Sequence, residues 1–350
     1  MELTDILQKS VEKEASDVFF IVGQPISFKI DGVITKEWEE RLTAEETELY
    51  VTSMYELCKR ERVFGNEGDD DFSLSIPKVG RFRINVFKQR GTWGAVLRVV
   101  AFELPDVEKM RIPSAVLDLS KKQKGLILVT GAAGSGKSTT ISYILDEINK
   151  NRNCHILTLE DPIEFLHKHK QSIVSQREIS IDSVSYSRAL KAAMRESPDV
   201  ILIGEMRDLE TIEIAMTAAE TGHLVLSTLH TVGAANTIDR VVDVFPPSQQ
   251  QQIRVQLSMV LQSIVSQQLL PSSREGQVPA FEILMANSAI KTMIRDGKVH
   301  QIDTVIHSSR KEHMKSMDDS IIELYKEGLI TTDTALTYCM NVEAVKRNLV

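Results

Sequence analysis

The hydrophobic positions of this chain change their rhythm about a third of the way along. Leu3, Ile6, Leu7 and Val11 fall on one stripe at helical spacing, which predicts a short amphipathic helix over residues 3–14. The run from Val18 to Val22 reads as a buried strand, and Ile26–Ile30 with Val33-Ile34 flank Asp31-Gly32 in the pattern of a hairpin. A helix is expected around 43–58. Phe72, Leu74 and Ile76 then alternate with Ser73 and Ser75, and Phe82, Ile84 and Val86 alternate with Arg81, Arg83 and Asn85. A turn at Arg90-Gly91 would return the chain through Trp93 to Val100. Strands grouped together with few helices predict a small α+β domain over residues 1–103.

Leu104-Pro105 and Ile112-Pro113 bracket a polar stretch read as a linker, 104–113. Beyond it, short apolar runs at 126–129, 156–159, 200–203 and 224–226 alternate with helical segments. That pattern predicts an α/β domain over 114–271, with a mostly parallel sheet covered on both faces. Residues 249–269 read as one long helix ending at Pro271. The remainder, 272–350, reads as a helical part with segments near 288–295, 318–327 and 333–348.

Composition narrows the class. A chain of 350 residues exceeds what one core usually serves, and 42% hydrophobic with 26% charged residues describes a folded protein, neither disordered nor collagen-like. Lys and Arg number 41 against 49 Asp and Glu, a net charge of −8, which weighs against non-specific wrapping of nucleic acid. No apolar run reaches the roughly 18 residues of a membrane-spanning helix. The opening MELTDILQKS shows no export signal, so a cytoplasmic location is expected. Cys58, Cys154 and Cys339 are scattered and never form a CxxC pair, which disfavours a disulfide frame or a four-cysteine zinc site.

Chemistry enters at Gly131-Ala132-Ala133-Gly134-Ser135-Gly136-Lys137-Ser138, a match to G-x-x-x-x-G-K-[ST] between an apolar strand and a helix through Ile141, Ile144 and Leu145. Its glycines let backbone amides close around phosphate oxygens at a helix N-terminus, with Lys137 reaching the β/γ-phosphates and the Ser138 hydroxyl directed at Mg²⁺. Hydrolysis also needs a metal-directed acid and a group that orients water. The run Asp199–Ile203 delivers Glu205 at the end of a strand, where ligands of open α/β sheets bind. The strand from Leu157 ends in Glu160, Asp161 and Glu164, with Pro162 stopping the ladder. His223 and His230 flank the strand 224–227 and read as phosphate or metal-water sensors, or else as ordinary hydrogen-bonding residues. If the hairpin turns at Arg90-Gly91, Arg83 faces Arg98, with Arg81 two residues away. Like charges across a ladder destabilise it, and a bound anion such as the ATP γ-phosphate would reverse that. Arg188 and Arg195, seven residues apart on one helical face, are secondary candidates.

The phosphate loop, LTLEDPIEF, DVILIGEMRD, AAETGHLV and STLHT together resemble the Walker A, Asp, Walker B and His boxes of type II/IV secretion ATPases, and most of all PilT-type pilus retraction ATPases, over nearly the whole chain. The resemblance implies a PAS-like N-terminal domain and a RecA-like P-loop ATPase domain with C-terminal helices. It also implies a homo-hexameric ring that hydrolyses ATP with Mg²⁺ to drive pilus retraction and twitching motility. Such rings work at the cytoplasmic face of the inner membrane with a platform protein, in some cases alongside a second retraction ATPase, and without nucleic acid. By the same resemblance Gly131, Gly134, Ser135, Gly136, Lys137, Ser138 and Thr139 hold the nucleotide. Ser138 and Glu205 direct the metal, Glu164 is the general base, His230 lies near the γ-phosphate, and Arg83 and Arg98 are arginine fingers.

Residues Ala289–Asp296 stand in the place of the family's retraction segment Ala-Ile-Arg-Asn-Leu-Ile-Arg-Glu and keep its chemistry at 289, 290, 294 and 295, with Thr292 the largest departure. Ala132-Ala133 replaces the usual Pro-Thr. Gly-Glu-Met-Arg-Asp favours the PilT type over the related PilU type, whose Walker B region tends to read Gly-Glu-Val-Arg-Ser. The cysteines needed for the zinc module of extension ATPases are absent. Two rivals stand: a RecA-like nucleic-acid translocase, against which the charge and the lack of a basic, aromatic-interleaved face argue, and a non-hydrolysing assembly ring, against which the carboxylates argue.

Overall fold

A computed structural model describes residues 2–30, 32–60, 68–100, 104–105, 110–274, 276–309 and 312–349. The chain divides into two compact units, residues 1–103 with 164–166, and residues 104–163 with 167–350.

The first unit is a six-stranded antiparallel sheet. Its strands are β1 (Asp17–Ile21), β2 (Ser27–Ile30), β3 (Val33–Lys36), β4 (Asp69–Ile76), β5 (Gly80–Gln89) and β6 (Thr92–Val100), in the spatial order β3-β2-β1-β6-β5-β4. Alternation puts Phe82, Ile84 and Val86 on the buried face, where they meet Leu3, Ile6 and Leu7 of the helix Leu3–Glu12 and Val51 and Met54 of the helix Ala44–Leu57. The second helix starts with a capping box between Thr43 and Glu46. At the expected hairpin, Arg90 and Gly91 both have positive φ, 49° and 79°, and Gln89 pairs with Thr92. This is a two-residue turn whose twist matches the strands, and it fixes the β5–β6 register. Of the other expected turn, Asp31-Gly32, Asp31 lies outside the described residues, as do 106–109 of the linker.

The second unit contains a seven-stranded sheet of β7 (Gly125–Thr130), β8 (His155–Glu160), β9 (Ile173–Glu178), β10 (Val200–Ile203), β11 (Leu224–Leu229), β12 (Leu261–Pro271) and β13 (Gln277–Met285). Its spatial order is β13-β12-β7-β11-β10-β8-β9, and every pair is parallel except β12–β13. The unbroken apolar runs of β7, β10 and β11 follow from burial on both faces. Leu126, Leu128, Ile201, Ile203 and Val225 face a core built with the helices Leu209–Glu220, Ala234–Asp243, Pro247–Val260 and Ser288–Arg295. Their alternates Ile127, Val129, Val200, Leu202 and Leu226 face a second core with Ile141, Ile144, Leu145 and Ile148 of the helix Lys137–Asn151.

Four expectations are corrected here. The long helix over 249–269 stops at Val260, and Leu261–Pro271 is a strand; pairing with β7 on one side and β13 on the other overrides a sequence that suits either period. The sheet therefore runs past residue 271 into β13, a strand absent from the sequence reading, as was β9. The helix over 333–348 is two, Thr332–Tyr338 and Val342–Lys346, because the buried Asp318 carboxylate accepts the N–H groups of Met340 (2.6 Å) and Asn341 (3.0 Å) between them. Finally, Arg188 lies in the helix Tyr186–Ala193 while Arg195 lies beyond its end, so the two do not share a helical face. Among the described residues no helix is long and apolar enough to cross a membrane.

Glu282 of β13 ties the sheet to two helix starts, accepting from Ala234 N–H (2.6 Å) and Met317 N–H (3.4 Å). Burial raises its pKa more than those two donors lower it, and the Asp303 and Asp318 carboxylates add to the rise. The folded protein therefore holds this proton more tightly than the unfolded chain, so the group stabilises fully at low pH and loses that contribution as pH rises through its folded pKa. As pH falls from above the folded pKa of Glu282 toward the ordinary carboxylate range, the wild type should gain melting temperature relative to Glu282→Gln, measured by calorimetry in matched buffers.

Candidate nucleotide site

Parallel pairing brings the C-terminal ends of β7, β11, β10 and β8 to one edge of the sheet. There β7 runs into the loop 131–136 and then the helix Lys137–Asn151, capped by Gly136. Gly131 and Gly136 have φ of 144° and 85°. A Cβ on Gly131 would lie 2.2 Å from the Gln267 backbone carbonyl oxygen, and one on Gly136 would lie 2.8 Å from Gln267 Nε2. Glycine is required at Gly131 by close approach to backbone as well as by conformation, and at Gly136 by its positive φ. Lys137 is buried, and its ammonium donates to the carbonyls of Gly131 (2.9 Å) and Ala132 (2.8 Å). Burial lowers its pKa, and the nearby Glu205 carboxylate works in the opposite direction. Among the described residues the buried Ser135 hydroxyl has no hydrogen-bond partner. Ser138 is exposed and Thr139 half-buried in the first helical turn.

Glu205 follows β10 by two residues, and the chain there is clamped between neighbouring strands. Gly204 N–H donates to Leu159 O (2.7 Å), Met206 N–H donates to Thr228 O (3.2 Å), and the Thr228 hydroxyl donates to Gly204 O (2.5 Å). The nearly buried Glu205 side chain has Arg207 at 2.5 Å from Oε1 and His230 Nε2 at 3.3 Å from Oε2. Glu205 beside it raises the Arg207 pKa. Two expected residues from adjacent strands, Glu205 and His230, thus meet. Glu160 is buried at the end of β8, accepting from the Thr158 hydroxyl (2.6 Å) and Gln176 Nε2 (3.2 Å). Asp161 is exposed before a cis Pro162, and Glu164 is exposed and groups with the first unit. His223 does not share this edge. It precedes the other end of β11, about 20 Å of strand away, and its ring bonds to Ala218 O (2.9 Å).

In the first unit Arg83 and Arg98 are direct cross-strand partners. Asp17 lies opposite Arg98 on its other side and accepts from Arg98 Nε at 3.1 Å. This counter-charge is not legible in the sequence reading, because it comes from a strand some eighty residues earlier in the chain. That reading also missed Arg207, whose signal was the Glu-x-Arg spacing, and Gln267, a polar residue in an apolar run.

A phosphate loop beside a strand-end carboxylate in a mostly parallel sheet defines a P-loop nucleotide hydrolase. More narrowly, the chain belongs to the type II/IV secretion system protein family, whose pattern matches residues 1–327, and it is an ATPase of that family. It is 42% identical to the Pseudomonas aeruginosa protein named type IV pilus retractation ATPase PilT, over 96% of this chain and 97% of that one. Identity to the type IV pilus ATPase PilU of the same organism is 36%, over 97% and 88%. A crystal structure of the pilus retraction motor PilT with bound ADP superposes with a TM-score of 0.88, at 44% identity and 99% coverage of both chains. The fold, an antiparallel-sheet unit followed by a mostly parallel α/β unit, thus matches a nucleotide-binding relative.

Gly131→Ala should abolish nucleotide binding in a fluorescent-ADP titration, because the methyl group meets backbone it cannot displace. It should also lower the melting temperature, by strain of about 1–2 kcal/mol or more.

Proposed function

We propose that this chain is a PilT-type motor whose ATP hydrolysis powers retraction of type IV pili. A ring of six copies would work at the cytoplasmic face of the membrane against a pilus platform protein, with a second retraction ATPase as an optional companion and without nucleic acid. The observation that carries the reading is the meeting of Glu205 and His230 at 3.3 Å beside the phosphate loop, with Lys137 in the field of the same carboxylate. The near-full-length similarity to PilT supports the choice of motor.

Gly131, Gly134, Ser135, Gly136, Lys137, Ser138 and Thr139 form the phosphate cradle. Lys137 transfers its donors from the loop carbonyls to phosphate oxygens. Ser138 and Glu205 are the residues that would hold Mg²⁺. They offer two hard oxygen donors, and the described residues contain no cluster of three or more acidic, His or Cys ligands. Such a donor set fits an ion that keeps several waters and binds mainly through phosphates. When bound, Mg²⁺ neutralises phosphate charge during transfer. Arg207 holds Glu205, with His230 close by, until substrate competes for the carboxylate. Glu164 serves as general base and His230 senses the terminal phosphate. Arg83 and Arg98 act as fingers from a neighbouring copy, and the Asp17–Arg98 pair leaves Arg83 the freer of the two.

Glu205→Gln should remove phosphate release while leaving ATP binding within about twofold, since the neutral amide keeps the shape but not the charge. Retention of full turnover would reject the assignment. Arg83→Ala should lower turnover of the assembled ring by a factor of ~10³–10⁵. Mixing it with a Lys137→Ala chain should restore part of the activity if the arginine acts between copies.

A further inference from the structure

One residue abuts both ends of the phosphate loop. Ser266 of β12 pairs with Thr130, the last residue of β7, so Gln267 lies just beyond the point where the loop begins. Its backbone carbonyl oxygen lies 2.2 Å from where a Gly131 Cβ would stand, and its side-chain nitrogen 2.8 Å from where a Gly136 Cβ would stand. The carboxamide oxygen accepts from the Thr140 hydroxyl at 2.7 Å, and both residues are buried. Thr140 sits in the first turn of the helix Lys137–Asn151, on the same turn that carries Lys137, Ser138 and Thr139. A buried threonine hydroxyl in a helix can bond back to the carbonyl four residues earlier; here it donates across to another strand instead. Next door, the Ser266 hydroxyl accepts from Gly233 N–H at 2.9 Å, three residues past His230.

We infer that Gln267 is a positioning residue for nucleotide binding: its carboxamide, anchored on Thr140 beside Gly136, ties the first helical turn to β12, whose backbone flanks Gly131, and so presets the loop amides and Lys137 for phosphate. It touches no substrate itself and acts through the loop. The inference rests on the proposed phosphate-loop site and adds a residue to it. A loop held open in advance gives up less conformational freedom on binding, so loss of the anchor should appear in affinity before it appears in turnover at saturation.

The test is a double-mutant cycle on the full chain with Gln267→Met, which keeps length without hydrogen-bonding capacity, and Thr140→Val, which keeps shape without the hydroxyl. Each single change should weaken fluorescent-ADP binding about tenfold. KM for ATP should rise in step, with kcat changed by less than about twofold. The double variant should bind no more weakly than the worse single one, because both remove the same bond. Thr140→Ser, which restores the hydroxyl, should recover most of the lost affinity. Additive losses, or ADP affinity within about twofold of wild type in both single variants, would overturn the inference while leaving the site itself intact. Failure of the wild type to bind ADP would overturn both.

Discussion

The central constraint is the pressure of β12 against the phosphate loop. The loop turns its backbone N–H groups inward through positive φ at Gly131, Gly134 and Gly136, and a Cβ on either end glycine would meet the same glutamine on the neighbouring strand. The hairpin of β12 and β13 also reaches Gly233 through Ser266 and Ala234 through Glu282, a few residues past His230. A single piece of sheet therefore sets the distance between the loop that receives phosphate and the turn that carries the histidine. Side chains in a packed interior transmit such spacing with little slack.

Electrostatics at the sheet edge follow from the same geometry. Lys137 is buried and held by carbonyls, Glu205 is nearly buried with Arg207 paired to it and His230 close by, and the Glu205 carboxylate offsets part of the effect of burial on Lys137. Charges kept out of water need partners at all times, and here the partners are ones that phosphate and metal chemistry would displace. In the first unit the pairing of Arg83 with Arg98 is tolerated because Asp17 flanks it on the next strand. That acid reduces the repulsion that the two arginines alone would create, and it makes the pair unequal: both are exposed, but Arg98 is paired with Asp17 within its own sheet.

The sequence by itself determined what depends on local rules. Apolar runs marked the four central strands, the positive-φ turn at Arg90-Gly91 was legible from its residues, and the loop with Lys137 announced its chemistry because amide cradles need glycine at fixed spacing. It also brought Glu205 to a strand end. Tertiary structure decided everything that rests on pairing between distant segments. Leu261–Pro271 satisfies a helical period as readily as a strand, and only the exposed edge of β7 selects the strand. Asp318 breaks a helix more than a dozen residues away by capturing two N–H groups. Gln267, Arg207 and Asp17 acquire their roles from partners remote in the chain or from the fold around them, and a linear pattern carries no record of which polar side chain will be buried beside which charge.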